Sequence, residues 1–540
     1  MIVTKTPLAE IVPVENAAMP NRTVIQWDKD DSADMGLVKI DLLGLGMLTL
    51  IDLALKLILQ HRGETIDISK ISYSDSKVYD LLCSADTLGV FQVESRAQMN
   101  TLPRMRPRCF YDLVVEVAII RPGPIQGKMV HPYLRRRNGE EPVSYLHPSL
   151  EPALKRTLGI PLFQEQGIRV AMTAAGFSPA QADSLRRSIG HRQSKERIAA
   201  LKESLIVGMG RNGIDASTAE QIYNQLAAFA DFGFAESHAA SFALLVYVSA
   251  WLKVYYPLEF YCALLNAQPM GFYTTASIVY EAMRKGVEIK NVCIVNSDKD
   301  CTIEGNAIRL GLSHVLSLGS VAAERVLAER LNSPFSTLKD FILRTALSKH
   351  QFEQLAQVGA FDCFGVSRRE ALWQVLSLVR QSGYELELVS ASAGSELLPS
   401  MRPIDIVQSD IFGLSLSTGP HPMALVRDVL RKEHVMSSQD LRDAPDRRSV
   451  CACGMVVIRQ RPLTAKGFVF ITLEDETGFA NIVVKPDLAK RFRRDVIYSN
   501  VLYVWGKIER KDGVVNVVGE RFRSVAIDGD SIKLKSRDFH

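Results

Sequence analysis

The sequence predicts a multidomain α+β protein, and three observations carry that reading. The chain has 540 residues, too many for one compact core, so about three or four domains are expected. From about 75 to 285 the apolar residues follow a helical period, broken by Pro and Gly. From 449 to 524 they recur at every second position, the period of half-buried strands. A composition of 47% hydrophobic and 23% charged residues excludes wholesale disorder and collagen-like repeats.

Residues 1–60 read as strand, turn, then strand and helix. Val24-Ile25-Gln26-Trp27 is a short apolar run. Asp28-Lys29-Asp30-Asp31 and Asp34 follow it in what reads as a polar loop. Residues 37–43 read as a strand, closed by Gly44 and Gly46, ahead of an amphipathic helix from Leu48 to about Leu59. Helices are expected at 180–188, 194–211, 217–232 and 242–256. The longest uncharged apolar run, AASFALLVYVSAWL at 239–252, is shorter than the roughly 18–20 residues of a bilayer span, so a buried core helix is expected. The N-terminus carries no apolar core or cleavage pattern. A soluble, cytoplasmic protein without a membrane partner is expected.

From 286 to 390 short strands precede helices at 321–330, 352–358 and 368–376, with Gly359 as a C-cap and Ser367 as an N-cap. Residues 378–412 are rich in Gly, Ser and Pro and read mostly as linker. Five strands follow, at 450–458, 468–474, 480–484, 501–509 and 514–523. A short helix at 486–492 falls between the third and fourth. That order is the order of an OB-fold barrel.

Lys plus Arg number 64 against 60 Asp plus Glu, a net charge of only +4. The charge is unevenly placed. Residues 101–200 hold 16 Lys plus Arg against 8 Asp plus Glu, a local net of +8. A basic, helix-rich region is either an electrostatic footprint for phosphate or a solvated face without a partner. The eight Cys are unpatterned, Cys451 and Cys453 forming a CxC within a strand. Neither a disulfide framework nor a structural zinc is expected.

Four stretches gather polar groups amid apolar sequence. In Lys39-Ile40-Asp41, a carboxylate ending a buried strand must be paired or metal-bound, and Lys39, on the same strand face, is the alternative partner. Arg121-Pro122-Gly123-Pro124 is a rigid turn that presents Arg121 to a ligand or to solvent. The third stretch runs from Asp183 through Arg186, Arg187 and His191 to Arg192. It ends a helix in guanidinium groups suited to bidentate phosphate contacts, or to its own free carbonyls. In the fourth, Ser237 and His238 open the most apolar helix, where an anion is favoured and where a lone His is more often a cap than a catalyst. There is no Walker loop, GxGxxG, HExxH or nucleophile elbow.

VKIDLLGLGMLTL, LGVFQVES, RPGP, GIPLFQEQ, ADSLRRSIG and FGFAESHAASFALLVY, in this order and spacing, resemble the alpha subunit of bacterial DNA polymerase III, a C-family polymerase. The run Trp27-Asp28-Lys29-Asp30-Asp31, QPMGFY at 268–273 and the terminal SRDFH resemble its error-prone, damage-inducible branch. The resemblance covers essentially the whole chain. It implies a palm remnant at 1–60, mainly helical fingers at 61–300, a tandem helix-hairpin-helix region at 301–390 and a linker at 391–448. An OB-fold at 449–526 and a tail at 527–540 complete the division.

The resemblance also implies template-directed addition of dNTPs to a primer 3′-OH, with two Mg²⁺ held by palm carboxylates. By it, Asp41 is the third of those carboxylates and a metal ligand, with Lys39 beside it. Arg186 and Arg187 hold the incoming triphosphate. Arg121, Gln164, Glu165, Ser237 and His238 line the same nucleotide site, and Arg192 is what remains of a lysine-rich segment. The implied partners are primer-template DNA, dNTP, a sliding clamp and a Y-family-like mutagenesis accessory protein.

The chain also departs from that family. An Asp-x-Asp pair belongs upstream of Asp41, and no such pair stands on a strand in the residues before it. One carboxylate cannot clamp two divalent ions, so the chain alone is expected not to extend primers. The alternative is a non-enzymatic DNA-binding protein built from fingers, hairpin and OB modules. The hairpin reads Ser317-Leu318-Gly319 where G-x-G is usual. Gln408-Ser409-Asp410-Ile411-Phe412 is similar to a sliding-clamp pentapeptide. In the barrel, Phe468, Phe470 and Phe479 could stack on bases while Arg459, Arg461, Lys466 and Lys485 follow a DNA backbone. The same alternation places some of these rings in the barrel core.

Overall fold

The computed structural model describes residues 2–17, 22–27, 29–39, 42, 44–121, 129–188, 194–230, 234–381, 398–462, 465–525 and 537–539. The chain divides into two compact units, Met1–Thr49 and Leu50–His540.

In the first unit, β1 (Ile2–Val3) pairs with β4 (Val38–Lys39) antiparallel, and β2 (Val14–Asn16) pairs with β3 (Thr23–Ile25). A short helix, Lys29–Asp34, stands where the sequence suggested a polar loop. Acidic residues in a first turn suit the positive end of a helix dipole, and that favours helix over loop. Of the strand expected at 37–43, the described residues show β4. Asp41 lies outside the described residues, as does the Lys39 side chain.

The helix Leu45–Arg62 ends, within the second unit, on a buried carboxylate. Glu259 is fully buried, and its Oε1 and Oε2 accept from Arg62 Nε at 2.7 Å and Nη2 at 3.0 Å. His61 Nδ1 lies 2.7 Å from the same Oε1. Burial alone raises a carboxyl's pKa, but here the bonds from Arg62 and His61 outweigh it and hold Glu259 below its usual range.

The helix Glu236–Tyr255 is the core of the helical region. By length and composition it is the one described helix able to cross a membrane. Instead it packs against the helices Phe110–Ile119 and Ser76–Cys83, with Ala239, Ala243, Val246, Tyr247 and Ala250 buried. This is the core helix that the apolar run predicted.

A second core joins the helices Gln164–Ala175, Pro179–Ser188, Ser194–Arg211 and Ala216–Ala230 through Val170, Ala174, Leu185, Leu205 and Ile222. Gly208 permits that approach, since a Cβ there would stand 2.1 Å from the Ala175 carbonyl oxygen.

Next come β5 (Glu288–Lys290), β6 (Thr302–Glu304) and β7 (Ala307–Arg309), a small sheet ordered β5-β7-β6. The helices Gly319–Asn332, Leu338–Thr345, Lys349–Gln357 and Arg368–Gln381 follow. Their first turn keeps a G-x-G type of backbone with Ser in the first place, φ being +67° at Ser317 and +75° at Gly319. A β-carbon in that region is strained. Ser317→Gly is therefore expected to stabilise the chain by about 1 kcal/mol, allowing for the freer unfolded glycine. Urea unfolding checks this, and a lower midpoint for the glycine variant would contradict it.

The expected linker is corrected over 398–448. It carries the helices Pro403–Leu414, Pro422–Lys432 and Ser438–Asp443. Val407, Ile411, Met423 and Leu430 from these helices bury against Cys453, Met455 and Tyr503. Proline at the first helical turn starts two of these helices, and apolar residues three and four apart give them one face to bury. The surrounding Ser, Gly and Pro hide that pattern in the sequence.

The barrel comprises β8 (Ser449–Gln460), β9 (Val469–Asp475), β10 (Gly478–Val484), β11 (Val501–Lys511) and β12 (Val514–Ser524). β8-β9-β10 run antiparallel, β10 pairs parallel with β12, and β12 pairs antiparallel with β11. Antiparallel pairing of β11 with β8 closes the five strands into an OB-fold. The helices Pro486–Arg491 and Arg493–Tyr498 sit between β10 and β11, and β13 (Arg537–Phe539) adds at the far edge of β8. Val456, Ile471, Ile482, Val504 and Phe522 fill the interior.

Candidate nucleotide and nucleic-acid sites

Three elements converge at the start of the helix Glu236–Tyr255. Phe163 and Phe234 form a parallel bridge, and Gln164 N–H donates to the Phe234 carbonyl at 3.0 Å. This short pairing sets the first turn of the helix Gln164–Ala175 beside the first turn of Glu236–Tyr255. Arg121, at the end of the helix Phe110–Ile119, lays its guanidinium 3.3 Å from the Phe234 ring centroid. Its Nε donates back to the Val117 carbonyl at 3.3 Å. Partial burial lowers the Arg121 pKa from its usual value.

A file of planar groups continues from there. Phe234 meets His238 edge-on at 5.0 Å, His238 meets Phe242 at 4.2 Å, and Phe242 meets Phe91 at 5.2 Å. Ser237 and His238 are exposed. A cation, a planar stack and an exposed imidazole along one edge suit a nucleotide, whose phosphate and base need these two kinds of surface.

At the helix start the first N–H is already taken from within the chain. Glu165 Oε2 accepts the Glu236 N–H at 2.9 Å. Glu236 Oε1 in turn accepts from the Tyr111 hydroxyl at 2.9 Å and from Arg156 Nη1 at 3.2 Å. The Arg156 guanidinium also covers the Tyr111 ring at 3.6 Å. Burial, then the bond to Glu236, pushes the Tyr111 phenol above its usual range. Two internal carboxylates thus occupy the place where the sequence suggested phosphate.

Arg121, Gln164, Glu165, Ser237 and His238 therefore meet at one locus. Arg186 and Arg187 belong to the helix Pro179–Ser188, but their side chains lie outside the described residues, as does Arg192. Tyr111, Arg156, Phe234 and Glu236 join the site without having been singled out. Phe234 and Glu236 had a signal, their place in the FGFAESHAAS run.

The barrel yields two corrections. Arg459 is buried, its Nε donating to the Val496 carbonyl at 2.9 Å and its Nη2 to the Ser499 carbonyl. It satisfies carbonyls at the end of the helix Arg493–Tyr498 and is not free to follow a DNA backbone. The face of β9 and β10, where OB barrels commonly bind oligonucleotides, is covered from within the chain. Arg96 stacks over Phe470 at 4.9 Å and donates to the Ile471 carbonyl at 3.1 Å, the Ile482 carbonyl at 3.0 Å and Asn516 Oδ1 at 3.3 Å. Burial without a carboxylate partner lowers Arg96 to about 9.

Tyr273 and Arg284 cover Phe479, at 5.3 and 5.0 Å. Arg461, Lys466 and Lys485 are exposed and Phe468 is half-buried. The segment Gln408-Ser409-Asp410-Ile411-Phe412 is folded inside the helix Pro403–Leu414. Ile411 is buried there and Asp410 is paired to Arg368 at 2.6 Å, so the segment does not present an extended clamp-binding peptide. Among the described residues no three His, Cys, Asp or Glu side chains gather to hold a metal ion. Those residues do not by themselves fit a two-magnesium centre.

A mainly helical region, a helix-hairpin-helix region and an OB barrel follow one another in this chain, and sequence comparison gives their class. Residues 1–44 match the profile of the bacterial DNA polymerase III alpha NTPase domain, and 47–213 match the finger domain of the same subunit. Residues 286–371 match a helix-hairpin-helix motif, and 450–525 match an OB-fold nucleic acid binding domain. Along its length the chain is similar to the bacterial DNA polymerase III alpha subunit and to error-prone members of that family.

Across all of its length the chain is 46% identical to the error-prone DNA polymerase of Anaeromyxobacter dehalogenans (strain 2CP-1 / ATCC BAA-258), covering 49% of that protein. It is likewise 46% identical to the error-prone DNA polymerase of Mycobacterium tuberculosis (strain ATCC 25618 / H37Rv), again covering 49%. The chain spans about half the length of the curated relatives it matches.

Proposed function

We propose that this chain supplies the fingers, hairpin and OB portion of an error-prone DNA-directed DNA polymerase, one that adds dNTPs to a primer 3′-OH on damaged template. The observation that carries this reading is the 46% identity to error-prone DNA polymerases along the whole chain. The convergence of Arg121, Gln164, Phe234 and His238 supports it. In this role Arg121 and His238 line the nucleotide, Arg186 and Arg187 grip its triphosphate, and the exposed Arg461, Lys466 and Lys485 meet DNA. Magnesium serves the whole polymerase and needs carboxylates beyond Asp41. The domain limits at 60, 300, 390 and 448, a cytoplasmic location, a sliding clamp and a mutagenesis accessory protein follow from the resemblance. Clamp contact through 408–412 does not.

The test is arginine modification followed by mass spectrometry. dNTP with Mg²⁺ is expected to protect Arg186 and Arg187, while a polypeptide of residues 1–540 adds no nucleotide to a primer. Primer extension lost on Asp41→Ala would overturn the second expectation. DNA binding with a steep salt slope and no dNTP protection would favour the binding-module reading.

A further inference from the structure

Two cysteines far apart in sequence meet where the small sheet touches the helices that follow it. Cys293 comes just after β5, and Cys363 stands in the single helical turn Asp362–Phe364, between the helices Lys349–Gln357 and Arg368–Gln381. Backbone and side-chain bonds fix the approach. Asn291 Nδ2 donates to the Val358 carbonyl at 2.6 Å, and the Ile294 N–H donates to the Ala360 carbonyl at 3.1 Å. Cys363 Sγ lies 3.8 Å from that same Ala360 oxygen. On the other side, the Cys293 N–H donates to Ser297 Oγ at 2.9 Å, and the Ser297 hydroxyl donates to the Leu310 carbonyl at 2.7 Å. Ile294, Ala360 and Phe361 around the contact are fully buried.

The two sulfurs are in hydrogen-bonding contact, the Cys363 S–H donating to Cys293. That bond holds the Cys293 thiol below its ordinary range, and the Asn296 and Val295 N–H groups add to it against burial. Cys363, as the donor, is raised. Burial instead raises the thiols of Cys83, Cys262, Cys301, Cys451 and Cys453. Cys293 is only 7% exposed, whereas Cys363 faces solvent.

A thiolate is the nucleophile in sulfur oxidation, and a second thiol in contact with it can close a disulfide. A nearly covered thiolate is reached by a small oxidant more readily than by a bulky disulfide. We propose that Cys293 and Cys363 form a peroxide-reactive dithiol, which closes to a reversible disulfide tying residues 291–294 to the turn at 359–364. The Cys293 thiolate attacks one peroxide oxygen, the O–O bond breaks and hydroxide leaves, so that Cys293 becomes a sulfenic acid. Cys363 gives its proton to that hydroxide, attacks the Cys293 sulfur and expels a second hydroxide, which takes a proton from solvent. Two thiols are oxidised, one peroxide is reduced, and two waters form. Both cysteines lie in the helix-hairpin-helix region, so closure locks that region and leaves the barrel and the nucleotide locus untouched.

The experiment treats the reduced full chain with a few equivalents of hydrogen peroxide. Free thiols are then blocked with N-ethylmaleimide in urea, and tryptic peptides are mapped by mass spectrometry without reduction. Peptides 291–299 and 350–368 are expected as one linked species, which dithiothreitol separates. Cys451 and Cys453 should carry maleimide, because burial keeps both protonated. Cys363→Ser is expected to leave Cys293 as a sulfenic acid that dimedone captures. Cys293→Ser should slow dimedone capture at Cys363 about tenfold. Peroxide should close the pair about tenfold faster than oxidised glutathione at equal concentration. The oxidised chain should unfold at higher urea than the reduced chain, and either serine variant should lose that difference. Peptides that stay separate with maleimide on both cysteines, linkage chiefly between two copies of the chain, equal closure by oxidised glutathione, or undiminished dimedone capture in Cys293→Ser would each overturn the proposal.

Discussion

Replacing Glu116 by leucine is expected to stabilise the protein, and more so the higher the pH. Glu116 lies on the helix Phe110–Ile119, is fully buried, and neither carboxylate oxygen has a hydrogen-bond partner among the described residues. Burial alone pushes its carboxyl from the ordinary 4.5 up to about 8. Between those two values the folded chain keeps a proton that the unfolded chain has released. Stability therefore falls as pH rises through that window and is flat outside it. At 1.36 kcal/mol per unit the swing is roughly 3–6 kcal/mol.

Leucine removes both the charge and the unpaired polar atoms, so the gain is largest above pH 8 and smallest below 4.5. Glu116→Gln removes the ionisation alone and is expected to flatten the pH profile with a smaller gain. Urea unfolding at several pH values reads both variants. A parent protein whose midpoint is constant from pH 5 to 9 would contradict the assignment. Glu116 directly precedes Val117, whose carbonyl accepts from Arg121, so the strain sits next to the candidate nucleotide locus.

The second large effect is expected at the seam between helices and barrel. Arg284, on the helix Thr275–Arg284, donates from Nη1 and Nη2 to Glu474 Oε1, both at 3.1 Å, and from Nη2 to Glu281 at 3.0 Å. Glu474, on β9, also accepts the Ser277 hydroxyl at 2.8 Å and is only 2% exposed. Burial raises its pKa, with Arg284 opposing.

Arg284→Met strands that carboxylate, and breaking a buried pair in this way costs about 3–5 kcal/mol. The cost grows with pH, because the stranded Glu474 is tolerated only when protonated. Adding Glu474→Gln should recover much of the loss, and a double-mutant cycle measures the coupling. Simple additivity of the two substitutions would show that the pair does not hold the seam. Limited proteolysis should release the barrel from the single variant and leave it attached in the double.

Local chemistry was legible where it repeats along the chain. Alternation from 449 to 524 marked the five strands and their order, because a strand with one dry face must alternate. The apolar run at 239–252 marked a helix that is indeed buried. Arg459 was misread for the same reason, since a charged residue at an alternating position looks solvent-facing until a helix end claims its donors. Phe470 and Phe479 looked like free stacking platforms, and the groups that cover them come from far along the chain. Arg96 meets a carbonyl 375 positions away. The helices within 398–448 were masked by turn-forming residues that in fact sit at their ends.

The sequence by itself determined the modules of this protein and the family it resembles, since both reside in local period and in the order of short motifs. Tertiary structure alone decided which faces stay open. It filled the β9–β10 wall with Arg96 and Tyr273 and placed Glu165 at the helix start. Burial is a property of pairs of surfaces. A residue's own neighbours in sequence carry no record of which distant surface arrives to cover it.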